Sequence, residues 1–420
     1  MTSTGAVVGL KCKECERVYD IAPSNVCELC FGQLEVEYDY ERIAKLVTRK
    51  RIQKGPETLW RYREILPVDS GEPVDLGAGF TPLIRAEKLG RRLGLRHLYI
   101  KNDSLNPTSS FKDRSVAVAV TKAREFGFDT VACASTGNLA NSVAAHAARA
   151  GLKCYIFVPS DLDRARLVAI SVYEPTIIAV NGDSGDVNSL CSKIAGRYQW
   201  AFVNVQLRPF YAEGSKTIAF EITEQLGWQL PDHVIAPMAS GSLITRLRKG
   251  FTEMQVLNLV KKNETRLYGV QAEGCAPIVG AFLRNTDLIS PATPNTIAKS
   301  IAIGNPADGP YALKAIRQTG GTAEAATDAE IIDGIKLLAT TEGIITEPSG
   351  GAAIAALVKL AGKKSFNIPD RVVVCVSGSG SDSVGALSEA VNKPIVVEPD
   401  ADSFDRQAGA AGLKHAAEGN

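Results

Sequence analysis

The chain has 420 residues, 47 Lys and Arg against 46 Asp and Glu, and 45% hydrophobic residues. At about 150 residues per domain it has room for two or three domains, and its apolar content excludes disorder over most of its length. A net charge of +1 with no long basic run argues against a nucleic-acid partner. No apolar run reaches the roughly 18 residues of a membrane helix, so no membrane association is expected. Met1–Leu10 has no basic start, so no secretory signal is expected either. Nine cysteines is an odd number, and five of them stand mostly in apolar, strand-like settings. Such thiols act as small hydrophobes, which points to a reducing cytoplasm.

Residues 1–45 differ from the rest. Cys12-Lys13-Glu14-Cys15 and Cys27-Glu28-Leu29-Cys30 are separated by eleven residues. Two such knuckles bring four thiolates into a tetrahedron suited to Zn²⁺ and can close a small ribbon without a large core. Cys12, Cys15, Cys27 and Cys30 are therefore read as ligands of a structural zinc, in a zinc-ribbon-like extension. Residues 46–78 form a linker or helical segment, with Arg49-Lys50-Arg51 on a solvated helix face.

From residue 79 to 398, short apolar strands alternate with helices. The strands expected are His97–Lys101, Thr130–Ala134, Lys153–Val158, Thr176–Val180, Ala201–Val205, His233–Ala236, Leu267–Gln271 and Arg371–Val376. The helices expected are Asp113–Phe126, Leu139–Ala150, Gly214–Leu226 and Gly350–Ala361. Near-continuous apolar strands predict an α/β fold whose parallel sheets are covered by helices on both faces. Residues 399–420 are polar and rich in Ala and Gly, and are expected to be a fraying tail.

Ligands of open α/β sheets bind beyond the carboxyl ends of the strands. Three strands here run into small-residue loops: Ser135-Thr136-Gly137-Asn138, Ala239-Ser240-Gly241-Ser242-Leu243 and Ser377-Gly378-Ser379-Gly380-Ser381. The second precedes a helix and suits a phosphate, because small side chains let backbone N–H groups approach an anion. None of the loops matches the dinucleotide or P-loop fingerprints. Lys112, in Ser110-Phe111-Lys112-Asp113-Arg114, opens an apolar helix. There the dipole disfavours its charge, and a lysine of lowered pKa forms Schiff bases with carbonyls. A surface lysine at a helix cap is the alternative.

In this order the motifs resemble those of the tryptophan-synthase-β-like, fold type II pyridoxal-phosphate (PLP) enzymes, and among them the threonine synthases. Gly79-Phe80-Thr81-Pro82-Leu83 adds a family-typical entry, and the likeness runs from the cysteines to about Glu398. It implies a two-lobed PLP core over residues 79–398. Lys112 falls at the cofactor lysine and base, Asn138 at the asparagine that bonds the cofactor's 3′-oxygen, Ala239–Leu243 at its phosphate loop, and Ser377 at the pyridine nitrogen. The implied substrate is O-phospho-L-homoserine, converted with water to L-threonine and phosphate. Ser135 and Thr136 have the right donors for the substrate's phosphate. Arg208 reads equally as a bidentate phosphate ligand or as half of a structural salt bridge. Lys216 and Lys299 are weaker candidates.

The departures are local. Ser109 and Ser115 stand where the lysine motif commonly has glycines, and Ser377–Asp382 differs from the family's Thr-Gly-His/Asn-Gly-Leu-Lys. Glu347-Pro348-Ser349-Gly350-Gly351 is partly like a segment of dehydratases and β-replacement enzymes. An alternative is thus a related enzyme, cysteate-synthase-like for example, acting on phosphoserine, serine or threonine. A non-catalytic zinc-ribbon regulator is a third reading. Homodimers are common among soluble enzymes, and a homodimer is expected here.

Overall fold

Val372-Val373-Val374 is apolar on both sides of its strand, and all three residues are buried. Such a segment must lie inside a sheet covered on both faces. The computed structural model, which describes residues 6–69, 71–381, 385 and 394–410, places it there. In chain order the strands are β1 (Val7–Cys12), β2 (Val18–Tyr19), β3 (Leu34–Tyr38), β4 (Leu83–Arg85), β5 (His97–Asn102), β6 (Thr130–Ala134), β7 (Lys153–Pro159), β8 (Thr176–Val180), β9 (Ala201–Phe202), β10 (His233–Pro237), β11 (Arg266–Ala272), β12 (Ala323–Ala326) and β13 (Arg371–Val376).

They form three sheets among the described residues: β2-β1-β3, β12-β11-β10-β13-β5-β4 and β8-β7-β6-β9. The largest is parallel except for β4, which runs antiparallel on β5. Val373 of β13 pairs with Val234 of β10 on one side and Tyr99 of β5 on the other. Because β5, β13 and β10 are adjacent and parallel, their carboxyl ends open on one edge. The four-stranded sheet is parallel throughout, with β6 between β7 and β9.

All eight expected strands are present. The segment from Ala201 stops as a strand at Phe202, and the Gln206 side chain accepts the Phe202 N–H at 3.2 Å, turning the chain early. The helix expected over Gly214–Leu226 is two helices, Arg208–Gly214 and Thr217–Gln225. Gly214 lies against the helix that carries Lys112: a Cβ there would come 2.1 Å from the Arg114 carbonyl oxygen. The edge strands β4 and β12 are short, of three and four residues, and carry no period that a sequence reader could use.

The N-terminal sheet is antiparallel, with Leu10 opposite both Tyr19 and Val36. After it come the helices Tyr40–Leu46 and Arg49–Gln53, capped by the Asp39 and Thr48 side chains. Arg51 of that second helix pairs with Glu64 at 2.8 Å and is exposed, as a solvated face requires. Residues from Val384 onward form a separate unit in which Ala401–Ala410 is helical rather than frayed; Asp382 and residues 411–420 lie outside the described residues.

Candidate active site

Lys112 is the first residue of the helix Lys112–Glu125. Its neighbour Asp113 fixes the turn before it. The Asp113 carboxylate accepts the Thr108 N–H at 2.7 Å, the Thr108 hydroxyl at 2.6 Å and the Ser142 hydroxyl at 2.6 Å. Asp113 also places a negative charge in the first helical turn, where the dipole favours one. The Lys112 Nζ lies 4.6 Å from the centre of the Phe111 ring and 5.9 Å from that of Tyr211. Among the described residues no carboxylate pairs with it.

The loop after β13 is laced to the loop before Lys112. The Phe111 N–H donates to the Ser377 carbonyl at 2.9 Å, and the Ser379 N–H donates to the Ser109 carbonyl at 2.9 Å. Ser109 has φ +62, a left-handed conformation that explains why glycine is common there. Ser115, at the second altered glycine, shares a 2.7 Å hydrogen bond with the Ser215 hydroxyl.

Asn138 opens the helix Asn138–Ala150 and donates its amide to Glu347 at 3.1 Å. The Ser377 hydroxyl lies 2.8 Å from that of Ser349 and donates to Glu347 at 3.3 Å, and Ser349 donates to the same carboxylate at 2.6 Å. Gly378 is held close: a Cβ there would meet the Glu347 oxygen at 2.7 Å. Lys112, Asn138 and Ser377, far apart in sequence, are thus tied to one edge through main-chain bonds and Glu347.

The Ala239–Leu243 loop follows β10. Gly241 has φ +96 and is the N-cap of the helix Ser242–Val256; a Cβ on it would lie 2.8 Å from the Asp308 carbonyl oxygen. Having no side chain, it leaves the first-turn N–H groups to other acceptors, an arrangement that suits an anion. The Ser240 hydroxyl donates to the Asp308 carboxylate at 3.2 Å, and the Arg208 guanidinium donates to the same carboxylate at 2.7 Å. Arg208 opens a short helix, and Asn204 in the loop before it donates to the Ala134 carbonyl, next to Ser135, at 3.4 Å. Ser135 accepts the Gly137 N–H at 3.3 Å, and both Ser135 and Thr136 are half-buried. The salt bridge envisaged for Arg208 exists, and the side chain still keeps 29% of its exposure.

Beneath Lys112 lies a closed ionic network. Arg114, fully buried, donates to Asp103 at 2.7 and 2.8 Å, to Glu221 at 2.8 Å and to the hydroxyls of Thr81 and Thr217 at 3.0 Å. Lys101 donates to Glu221 at 2.6 Å. Burial by itself would raise the pKa of Glu221, but Arg114 and Lys101 outweigh it and hold the carboxyl down at about 2. Thr81 and the Phe80 N–H complete the network, so it anchors the Gly79–Leu83 entry.

Comparison with known proteins matches residues 74–378 to the family of pyridoxal-phosphate dependent enzymes. The threonine synthase of Methanocaldococcus jannaschii is 40% identical over 94% of this chain and 98% of its own length. That of Mycobacterium tuberculosis is 38% identical over 83% of this chain and 95% of its own. Among solved structures, the diaminopropionate ammonia lyase of Escherichia coli has a TM-score of 0.64 at 18% identity, covering 81% of this chain and 91% of that one. Threonine deaminase isoform 2 of Solanum lycopersicum gives 0.62 at 21%, covering 74% and 88%. The chain belongs to the PLP-dependent enzymes. Its fold is fold type II.

The residues present fit PLP. The cofactor needs an amine for its aldehyde, donors for its phosphate, and partners for its ring oxygen and nitrogen. Lys112 would supply the amine, the glycine-capped helix start the phosphate donors, Asn138 an amide and Ser377 a hydroxyl. Three residues here were missed as site members: Glu347, which gathers Asn138, Ser349 and Ser377; Asp308; and Asn204, whose buried Oδ1 has no hydrogen-bond partner. The dehydratase-like segment was the one clue to Glu347. Lys216, a weaker candidate for phosphate, is excluded: it is buried in ion pairs with Glu213 at 2.7 Å and Glu253 at 3.0 Å. Lys299 is exposed on a short turn.

The four N-terminal cysteines converge, with all sulfurs within 4.8 Å of one another. The Cys12–Cys30 and Cys15–Cys27 Sγ separations are 3.5 and 3.6 Å. The Glu14 N–H points at Cys12 Sγ at 3.5 Å and the Leu29 N–H at Cys27 Sγ at 3.4 Å. The Tyr19 hydroxyl lies 2.9 Å from Cys27 Sγ and, with the Cys30 and Leu29 N–H groups, lowers that thiol's pKa to about 6. Donors aimed at sulfur favour thiolates, the form a metal takes.

Proposed function

We propose that the protein is a threonine synthase, converting O-phospho-L-homoserine and water to L-threonine and phosphate. The observation that carries this reading is 40% identity to a threonine synthase over 98% of that protein's length. The site chemistry agrees with it. PLP, when bound, draws electrons away from the amino acid's Cα and so makes the adjacent protons acidic. Lys112 holds the cofactor and then takes the Cα proton with its Nζ. Asn138 would fix the ring through its amide, and Ala239–Leu243 would hold the cofactor phosphate by N–H and hydroxyl groups. Ser377 offers the ring nitrogen a neutral hydroxyl, which does not enforce protonation as a carboxylate would. Ser135, Thr136 and Arg208 grip the substrate's phosphate. It would leave Cγ with the bonding electrons once a Cβ proton is lost; Cγ would then take up a proton, water would add its hydroxyl at Cβ, and a proton would return to Cα.

In the same reading residues 1–45 are a ribbon whose Cys12, Cys15, Cys27 and Cys30 hold one structural Zn²⁺. Residues 46–78 join it to the catalytic core of residues 79–398, and residues 399–420 follow. The enzyme works in the cytoplasm as a homodimer and binds a small molecule rather than nucleic acid. Among the described residues no helix is long and apolar enough to cross a membrane.

The test is incubation of PLP-loaded protein with O-phospho-L-homoserine, assaying inorganic phosphate and L-threonine together. Equal release of both is expected. Phosphate without threonine, or neither, would contradict the assignment and move it to replacement or dehydration on phosphoserine, serine or threonine.

A further inference from the structure

Asp308 stands in an awkward place for an enzyme that handles phosphates. Its carboxylate, 6% exposed, accepts the Ser240 hydroxyl at 3.2 Å, and its backbone N–H donates to the Ser240 carbonyl at 2.9 Å. It therefore sits directly against the phosphate-binding loop. A buried negative charge there repels the anions the site must attract unless cations offset it. Arg208 reaches one carboxylate oxygen at 2.7 Å and Lys13 lies 4.0 Å from the other, while buried Arg246 adds attraction from farther off.

Lys13 comes from the ribbon. It lies between Cys12 and Cys15 on the first knuckle, and its side chain is only 10% exposed. Its ammonium donates to Gln33 at 3.3 Å and lies 4.2 Å from the centre of the Tyr311 ring. The knuckles grip the Asp308 segment on either side. The Gln33 amide donates to the Ala307 carbonyl at 2.9 Å, and the Tyr311 hydroxyl donates to the Glu14 carboxylate. The lysine is thus aimed and held, rather than being a solvated side chain that happens to fall near an acid.

We propose that Lys13 is a positioning residue for phosphate recognition: it neutralises Asp308 and thereby frees Arg208 to engage the substrate's phosphate. Arg208 makes one hydrogen bond with Asp308, through Nη2, and its side chain keeps 29% of its exposure. A guanidinium has five N–H donors and can hold a carboxylate and a phosphate together, and a second cation on the carboxylate weakens the repulsion between those two anions. Lys13 supplies that second charge. The ribbon is in this way part of the substrate-binding apparatus, and the inference rests on the threonine synthase reading for the identity of the phosphate ester.

The experiment uses the full-length PLP-loaded protein and its Lys13→Met and Lys13→Arg variants. It measures kcat and KM with O-phospho-L-homoserine, and the Kd of inorganic phosphate by calorimetry. For Lys13→Met, KM and phosphate Kd both rise about tenfold while kcat moves less than about twofold, and Lys13→Arg restores most of the loss. In an Asp308→Asn background, adding Lys13→Met changes either constant by less than about twofold, because no charge is left to offset. Unchanged KM and phosphate Kd would overturn the proposal. So would equal losses in Lys13→Met and Lys13→Arg, or a full effect persisting without Asp308. Lys13→Gln, which keeps a polar head beside Gln33, repeats the test if methionine unfolds the ribbon. Should wild type make no threonine, the assigned reaction fails, while the phosphate titration still decides the role of Lys13.

Discussion

Arg114 and Arg208 each meet a carboxylate at 2.7 Å, yet the two surroundings differ. Arg114 is fully buried among Asp103, Glu221, Thr81 and Thr217, with its donors consumed. Arg208 touches Asp308 through one nitrogen and remains partly open. The first arrangement is a scaffold that aims the Lys112 helix and the Gly79–Leu83 entry. The second keeps capacity in reserve for a ligand. The same ion-pair chemistry serves structure when every donor is used and recognition when some are left.

The strongest way to break this contrast is Arg114→Met. It leaves buried Asp103 without a cation and Glu221 with Lys101 alone, and loss of one partner of a buried pair costs about 3–5 kcal/mol. Urea unfolding should show a loss of that order; a change below about 1 kcal/mol would mean the network is not the anchor described here.

Acid sharpens the same point. The Glu221 carboxyl falls from an ordinary 4.5 to about 2 in the folded protein, so the folded state binds its proton less readily than the unfolded chain. Its contribution to stability is therefore complete above pH 4.5 and is lost as pH falls toward 2. Unfolding followed across that window should show stability falling with pH, and Glu221→Gln should flatten the slope while lowering stability at neutral pH.

Arg208→Gln should act on the other side of the contrast. KM for O-phospho-L-homoserine rises about 10- to 100-fold, while unfolding stability falls by about 1–3 kcal/mol, less than for Arg114→Met because Lys13 still faces Asp308. A large stability loss with unchanged KM would make Arg208 a second scaffold. The smallest effect is expected at Ser109, whose left-handed backbone disfavours any side chain. Ser109→Gly should stabilise by about 0.5 kcal/mol, the relief of strain being partly offset by glycine's greater entropy loss. Melting against wild type checks it.

Much of the site was legible because its parts lie at strand ends and helix starts, where small residues and a lysine leave local marks. Lys112, Asn138, Gly241 and Ser377 could each be named from a few neighbours in the chain. Asp308 could not. Its meaning comes from Ser240, 68 residues away, and Arg208, 100 residues away, and in sequence it is only an acid in the turn Asn305-Pro306-Ala307-Asp308-Gly309-Pro310. Lys216 misled for a related reason: Glu213 stands three residues before it, but Glu253 lies 37 residues on, and the pattern along the chain does not mark either pair as buried. The inner strands were readable from β-branched runs, whereas β12, with the sequence Ala-Glu-Ala-Ala, reads as helix or turn and is a strand only because β11 pairs with it.

Everything proposed for this site depends on PLP being held by Lys112. PLP-loaded protein reduced with borohydride, digested and analysed by mass spectrometry should carry the reduced pyridoxyl group on the peptide containing Lys112, with no such label in Lys112→Ala. Label on Lys101, Lys216 or another lysine, or no label in wild type, would contradict the site described here.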